Sequence, residues 1–215
     1  MIAVDRTRDV LGVIDVQPTF MPGGELPVPD GDAVVAPVNA LMASGFAHAF
    51  ATQDWHPPGH VSFASAHRAP PFSTVVLPYG EQMLWPDHAL IGSTGAALHP
   101  GLNLDRVDAI FRKGFHPGID GYSAFRDNDR VTGTGLGGWL KERGFARLFL
   151  CGLALDFCVF WSAQDARALG YEVFVVEDAC RGIGVPVASG STTTDEARRA
   201  MRDNGVQLIR AADLG

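Results

Sequence analysis

Short apolar runs alternate with helical patterns along most of this chain. Six runs rich in Val, Ile, Leu and Phe have the length of buried strands, and they lie at 10–16, 46–52, 107–113, 147–152, 171–177 and 206–210. Helical periodicity lies between them, at 33–43, 135–143, 156–169 and 193–204. This alternation is typical of βαβ units, so the sequence predicts an α/β fold around a mostly parallel six-stranded sheet.

The ends of the predicted helices carry local signals. Three of the helical patterns stop just before Gly45, Gly144 or Gly170, and glycine favours the left-handed conformation that often follows a helix. The last pattern opens with Thr193 and, three residues later, Glu196, which is the spacing of a capping box.

The stretch 54–106 breaks the alternation. It has about fifty residues rich in Pro, Gly, His and Trp with little periodicity, which is too long for an ordinary connection. Its first residues, 54–60, belong to the segment QDWHPPGH at 53–60. Asp54 and His56 are two positions apart, and in an extended chain such side chains point to the same side, so the pair can share one metal ion. We therefore expect this stretch to contribute to a site.

Composition narrows the class of protein. The 215 residues are 47% hydrophobic and 19% charged, which favours one globular domain over 1–215. The net charge of -7 disfavours nucleic acid or an anionic membrane as the main partner and leaves a small molecule. The first ten residues lack the apolar segment of a signal peptide, and no span of roughly 20 apolar residues follows. We expect a cytoplasmic protein, and the sequence leaves open whether it forms a homo-oligomer.

Polar residues follow four of the predicted strands. Asp15 ends the first apolar run, Asp54 follows the second, Lys113 ends the third, and Cys158 comes just after the fourth. Ligands of open parallel sheets bind beyond the carboxyl ends of the strands. A buried charge needs a partner, so we expect Asp15 and Lys113 to pair, either as catalytic groups or as a structural salt bridge.

Cys158 is the candidate nucleophile among three cysteines. Asp156 can cap the following helix, and the helix start would then lower the pKa of the Cys158 thiol. Cys151 lies inside a strand and Cys180 follows one, so both are interpreted as buried structural residues. A cysteine with an acid and a lysine suits acyl transfer, and backbone amides at the turn would form an oxyanion hole.

Several segments together resemble the nicotinamidases of the isochorismatase-like cysteine hydrolase superfamily. They are VIDVQ followed by Phe20 and PGGEL, then DWHPPGHVSFAS, LWPDH, FRKG, DGYSAFRDN, CGLALDFCV and EDACRG, in family order across nearly the whole chain. The resemblance implies a three-layer α/β/α fold of Rossmann-like topology. It also implies hydrolysis of nicotinamide, and of pyrazinamide, to the acid and ammonia, with Asp15, Lys113 and Cys158 as the catalytic triad.

The resemblance also implies the binding groups. Asp54, His56 and His88 would hold one divalent metal ion, for which Zn, Fe and Mn are all suitable, and the ion would bind the pyridine nitrogen of the substrate. His60 resembles a position that ligates in some members and only lines the site in others. The remaining implied features are substrate contacts from Phe20, Trp85 and, less directly, Tyr122, a cis peptide bond between Leu153 and Ala154, and an oxyanion hole formed by the amides of Ala154 and Cys158.

The chain departs from the family pattern at two places. Pro18-Thr19 stands where the family usually has Asn-Asp, and Leu155 where it usually has Thr. Three alternatives stay open beside nicotinamide hydrolysis. They are an amidase for carbamoyl or ureido substrates, an iron oxygenase with two histidines and one carboxylate, and a catalytically silent binding protein on the same scaffold.

Overall fold

The structure is a computed structural model, and it describes residues 1–188 and 190–215. The strands within those residues are β1 (Asp9–Ile14), β2 (Ala49–Asp54), β3 (Thr74–Leu77), β4 (Gly80–Met83), β5 (Ala109–Lys113), β6 (Arg147–Gly152), β7 (Glu172–Cys180) and β8 (Gln207–Ile209). The α-helices are α1 (Val35–Ala43), α2 (Ala64–His67), α3 (Leu136–Glu142), α4 (Phe160–Ala168) and α5 (Thr193–Asp203). None of the helices in these two ranges is both long and apolar enough to cross a membrane.

Six of the strands form one parallel sheet in the order β5-β2-β1-β6-β7-β8. All residues of β1 and β2 are buried, as expected for central strands covered by helices on both faces. Gly12 lies in the middle of β1, where a Cβ atom would be 2.6 Å from the ring of Phe50 and 2.7 Å from Leu150. A larger residue there would require the side chains of Phe50 and Leu150 to move.

The sequence-predicted fold class and strands are confirmed. Each of the six apolar runs overlaps one strand of the parallel sheet, although β2 begins at Ala49 and β7 continues to Cys180. The three helix-ending glycines also behave as predicted, since Gly45, Gly144 and Gly170 have φ angles of 43°, 72° and 91°.

The predicted capping box of α5 is wrong by one residue. The residues that cap each other are Thr192 and Asp195, not Thr193 and Glu196. The hydroxyl of Thr193 is engaged in tertiary hydrogen bonds instead. It donates to Asp156 at 2.5 Å and accepts from the backbone N–H of Val185 at 2.9 Å.

The irregular stretch 54–106 folds back along the carboxyl edge of the sheet. It contains the short helix α2 and an antiparallel hairpin, β3–β4, that the sequence pattern does not predict. Isolated bridges pair Phe63 with Trp85 and His56 with Leu90. These bridges bring the end of the stretch, including His88, beside its beginning.

Candidate active site

Four polar side chains meet at the carboxyl edge of the parallel sheet, as the sequence predicts. Asp15 immediately follows β1, Asp54 ends β2, Lys113 ends β5, and Cys158 lies six residues beyond the end of β6. All four are buried. The crevice expected beyond the strand ends therefore holds an acid, a second acid, a lysine and a thiol within contact distance.

Lys113 connects these groups. Its Nζ lies 2.9 Å from Asp15 Oδ2, which is the ion pair predicted from the sequence, and it donates to Cys158 Sγ at 3.3 Å. The same ammonium donates to the carbonyl of Gly121 at 2.9 Å and to Asp54 Oδ1. The contact with Asp54 is not predicted from the sequence, and it links the two halves of the site through one cation.

Cys158 lies in a turn whose shape differs from the prediction. The Leu153–Ala154 peptide bond is cis, as the family resemblance implies. Residues Leu155–Val159 then form a π-helical turn, and α4 begins only at Phe160. The helix start expected at Asp156 is therefore wrong, since Ala154 occupies the N-cap position and Cys158 lies inside the turn.

The carboxylate of Asp156 binds groups distant in sequence instead of capping its own helix. It accepts hydrogen bonds from the backbone amides of Ile183 at 2.9 Å and Gly184 at 2.8 Å. The hydroxyls of Thr193 and Thr194 also donate to it. Asp156 thus fixes the turn that carries Cys158 to the segment that carries Ile183.

Burial dominates the electrostatics of the thiol. It raises the pKa of Cys158 well above the usual range, and this effect outweighs the opposing influence of Lys113. The expectation that the helix start lowers this pKa is therefore wrong for this structure. Burial also raises the pKa of Asp15. A protonated thiol needs a base close by, so the proximity of an acid to Cys158 matters more than a helix dipole.

Asp54 remains ionised in the same environment. Burial acts to raise its pKa, but Lys113 and then His56 outweigh burial and hold that pKa well below its ordinary value. The carboxylate therefore carries a full negative charge toward the two histidines beside it. Such a carboxylate is suited to bind a metal cation.

Asp54, His56 and His88 form a group whose potential ligand atoms lie within 4.8 Å of one another. The Nε2 atoms of both histidines are 3.6 Å from Asp54 Oδ2. Each histidine donates its Nδ1 proton to a backbone carbonyl, His56 to Gly114 at 2.7 Å and His88 to Pro86 at 2.8 Å. Those bonds leave both Nε2 atoms facing the carboxylate, and with neutral imidazoles the three groups can bind one divalent metal ion.

His60 has a different environment. Its ring stacks on His56 with centroids 4.3 Å apart. Its Nδ1 lies 2.8 Å from the hydroxyl of Ser62, and its Nε2 donates to the carbonyl of Ile119 at 3.1 Å. Burial and the neighbouring His56 lower its pKa to about 4, so it is neutral near pH 7. Both ring nitrogens have protein partners, and direct metal ligation by His60 stays a prediction.

Aromatic side chains form the wall of the pocket above these groups. The predicted residues Phe20, Trp85 and Tyr122 all line it. Trp85 donates its indole N–H to the hydroxyl of Tyr122 at 3.1 Å, which holds both rings in place. The lining residues that the sequence does not predict are Leu26, Asp120, Phe157 and Ile183. A flat, mostly apolar ligand fits such a pocket.

The two departures from the family pattern lie beside the pocket. Thr19 belongs to a short 3-10 turn, Pro18–Phe20, and its hydroxyl accepts from the backbone of Ala89 at 3.2 Å. Leu155 is buried and its backbone N–H bonds to the carbonyl of Arg181 at 2.8 Å. Neither departure removes a group from the site.

Gln17 supports the site and is missed by sequence reasoning about charge. Its amide accepts from the backbone N–H of Asp54 at 2.9 Å and donates to the carbonyl of the same residue at 3.0 Å. A side chain thus continues the pairing of β1 and β2 past the last backbone pair. The available signal is a polar residue directly after an apolar strand, in the motif VIDVQ.

Asp127 is a buried carboxylate behind the loop that follows β5. It is 1% exposed, and neither of its oxygens makes a well-formed hydrogen bond within the described residues, although the backbone N–H of Gly114 is close enough to oppose the rise in its pKa. Burial raises its pKa to about 6. The folded protein thus holds this proton up to a higher pH than the unfolded chain does. Stability contributed by the neutral form is lost as the pH rises through about 4 to 6.

We expect Asp127→Asn to raise the free energy of unfolding at pH 7 by about 1–2 kcal/mol, after discounting for solvent screening. The gain should shrink toward pH 4, where the native carboxyl is already protonated. Urea unfolding at several pH values measures both effects. Asp129→Asn is the matched control, because the backbone N–H groups of Thr132 and Val131 lower the pKa of Asp129 and the same substitution should not stabilise there. Equal effects of the two variants would contradict this interpretation.

Comparison with known proteins agrees with this geometry. A family model described as the isochorismatase domain matches residues 9–213. A curated nicotinamidase from Acinetobacter baylyi is 46% identical over 203 residues, covering 94% of this chain and 92% of the relative. The solved structure of PnC1 from L. infantum in complex with nicotinate has 38% identity and a TM-score of 0.85, with 100% of this chain and 98% of that chain covered. A pyrazinamidase of Pyrococcus horikoshii in complex with zinc has 31% identity and a TM-score of 0.74, with 94% and 99% covered.

This chain belongs to the isochorismatase family. The family model covers nearly all of the chain, and the nicotinamidase from Acinetobacter baylyi is 46% identical over 94% of it. The resemblance to nicotinamidases inferred from the sequence motifs is thereby confirmed.

Proposed function

We propose that this protein is a nicotinamidase, a metal-dependent cysteine amidohydrolase that converts nicotinamide to nicotinate and ammonia and also accepts pyrazinamide. One observation carries the proposal. The thiol of Cys158 lines one pocket with Asp54, His56 and His88, and Lys113 behind it contacts that thiol, Asp15 and Asp54. The similarity to a nicotinamidase and to a nicotinate-bound structure supports the same substrate class.

The proposed reaction uses the acid as base and then as acid. Asp15 takes the proton of Cys158, and the thiolate attacks the carboxamide carbon. The backbone amides of Ala154 and Cys158 stabilise the oxyanion. Asp15 then protonates the leaving ammonia as the C–N bond breaks, which leaves a thioester. A water that Asp15 deprotonates opens the thioester and releases the acid and the thiol, while Lys113 balances the negative charges.

The residues Asp54, His56 and His88 would hold the divalent metal ion. When bound, the ion supplies a Lewis acid that orients a substrate through its ring nitrogen. The zinc complex of a pyrazinamidase supports a divalent metal here, and zinc, iron and manganese all suit the donor set. Phe20, Trp85 and Tyr122 would enclose the ring of the substrate and exclude water from it.

The alternatives are less well supported. A ureido or carbamoyl amidase has no use for the carboxylate–histidine group beside the lysine. A two-histidine iron oxygenase usually has an all-β barrel, whereas this sheet is parallel and covered by helices. A silent binding protein does not account for a thiol, lysine and acid in mutual contact. We also propose that the protein is a single domain that acts in the cytoplasm on a small molecule, without nucleic acid or a membrane as partner.

Ammonia release from three substrates tests the proposal. The purified protein is incubated separately with nicotinamide, pyrazinamide and a ureido compound such as N-carbamoylglycine. We expect release from the first two and at least a hundredfold lower rate with the third. Release from the ureido compound alone would favour the other amidase class, and no release from any of them would contradict the hydrolase assignment.

A further inference from the structure

Asp15 has an unusual backbone conformation for a residue with a side chain. Its φ angle is 46°, in the left-handed region, where a residue other than glycine is held only by its surroundings. Its side chain is fully buried. A conformation of this kind at a candidate base raises the question of which residue holds it.

Thr52 makes two hydrogen bonds to Asp15. The hydroxyl of Thr52 accepts from the backbone N–H of Asp15 at 3.0 Å, and it donates to Asp15 Oδ1 at 2.6 Å. Thr52 is itself 0% exposed and belongs to β2, beside the end of β1. One hydroxyl therefore fixes both the backbone and the carboxylate of this residue.

The two carboxylate oxygens of Asp15 thereby acquire different surroundings. Oδ1 is occupied by Thr52, whereas Oδ2 faces the ammonium of Lys113 at 2.9 Å. Within residues 1–188 and 190–215, no well-formed hydrogen bond to Oδ2 is present. Oδ2 thus keeps the acceptor capacity that a proton from Cys158 requires.

We propose that Thr52 is a positioning residue for the hydrolytic reaction, because it holds Asp15 with Oδ2 at Lys113 and with a carboxylate oxygen within 4.8 Å of Cys158 Sγ. This inference rests on the proposed function. Thr52 is not among the residues that line the pocket, and its side-chain hydrogen bonds go to Asp15. Its loss slows the proton transfers and leaves substrate binding nearly unchanged.

The experiment compares Thr52→Val, which is close in shape and lacks the hydroxyl, with Thr52→Ser, which keeps it. For Thr52→Val we expect kcat to fall by about tenfold to a hundredfold, the range for losing a hydrogen bond to a charged group. KM should change by less than about threefold, and Thr52→Ser should stay within about fivefold of wild type in kcat.

Thr134→Val is the matched control. Thr134 also has a half-buried hydroxyl that donates to the carbonyl of Ala124 at 2.6 Å, with a longer contact to that of Phe125 at 3.4 Å, and accepts from the backbone N–H of Leu136 at 3.2 Å, but it lies outside the candidate site. The kcat of the Thr134→Val variant should remain at the wild-type value. Should Thr52→Val not fold, Thr52→Ala carries the same expectation, since it removes the hydroxyl without adding a methyl group beside the N–H of Asp15.

A second readout needs no substrate. Iodoacetamide alkylation of Cys158, followed by mass spectrometry of its peptide, should slow by about the same factor in Thr52→Val and not in Thr52→Ser or Thr134→Val. Wild-type turnover or alkylation in folded Thr52→Val, or an equal loss in the serine variant, would overturn the role of Thr52. A wild-type protein that releases no ammonia from nicotinamide contradicts the proposed function instead, and the alkylation rates still test Thr52.

Discussion

Cys158→Ala should abolish ammonia release from nicotinamide, with a loss in kcat on the order of 10⁴-fold or more. The thiol is the only nucleophilic sulfur that lines the pocket in the described part of the chain, and without it no thioester can form. The substitution removes one buried atom and keeps Cβ, so the fold should persist. Steady-state ammonia assays measure the rate, and calorimetry measures whether nicotinamide still binds.

Cys151→Ala is the control for this variant. Cys151 is also buried, in the central strand β6, with its Sγ 3.6 Å from the carbonyl of Gly12. Cys151 does not line the pocket, so the kcat of the Cys151→Ala variant should stay within about twofold of wild type. A residual rate within tenfold of wild type in Cys158→Ala would reject the covalent mechanism.

The strands are predictable from the sequence because a central parallel strand is buried on both faces. That requirement produces continuous apolar runs, and β1 and β6 show them plainly. The hairpin β3–β4 leaves no such pattern. Val76 is 82% exposed, and β4 has only one apolar side chain, that of Met83, so the pairing of this hairpin depends on the chain around it and not on its own hydrophobicity.

The positions of the reactive groups are predictable for a related reason. In a parallel sheet the carboxyl ends of all strands lie at one edge, so Asp15, Lys113 and Cys158 converge wherever their strands are placed correctly. Their partners are less predictable. Lys113 meets Asp54 across 59 positions in sequence, and Thr52 meets Asp15 across 37. Such contacts depend on the register of neighbouring strands, which periodicity does not determine.

The shape of the turn at Cys158 is determined by tertiary contacts. The pattern DFC predicts a capped helix start, but the carboxylate of Asp156 finds four donors in the segment near Ile183 and in α5. These four hydrogen bonds are formed in place of the single hydrogen bond by which Asp156 would cap its own helix. The same competition moves the capping box of α5 to Thr192, because Thr193 is one of those donors.

Loss of the metal ion that Asp54, His56 and His88 would hold is the second change for which we expect a large effect on turnover. Removing the ion with a chelator should lower nicotinamide turnover by about a hundredfold or more, and zinc, iron or manganese should restore it. His88→Ala is the sharpest variant, because the described polar contacts of His88 are to Pro86 and Asp54 and do not involve Lys113. A substitution of Asp54 would be a less specific test of the metal ion, since it would also remove a partner of Lys113.

We expect His88→Ala to lower the affinity for metal by about tenfold or more, as measured by metal content after dialysis, and to lose turnover in proportion. Cys158 should keep its alkylation rate, because Lys113 and Asp15 are untouched. His48→Ala is the control, since His48 pairs with Asp108 away from the site. If the demetallated protein bound nicotinamide as tightly as the metal-loaded form, the ion would not be the group that holds the substrate ring, and the aromatic wall alone would have to orient the carboxamide toward Cys158.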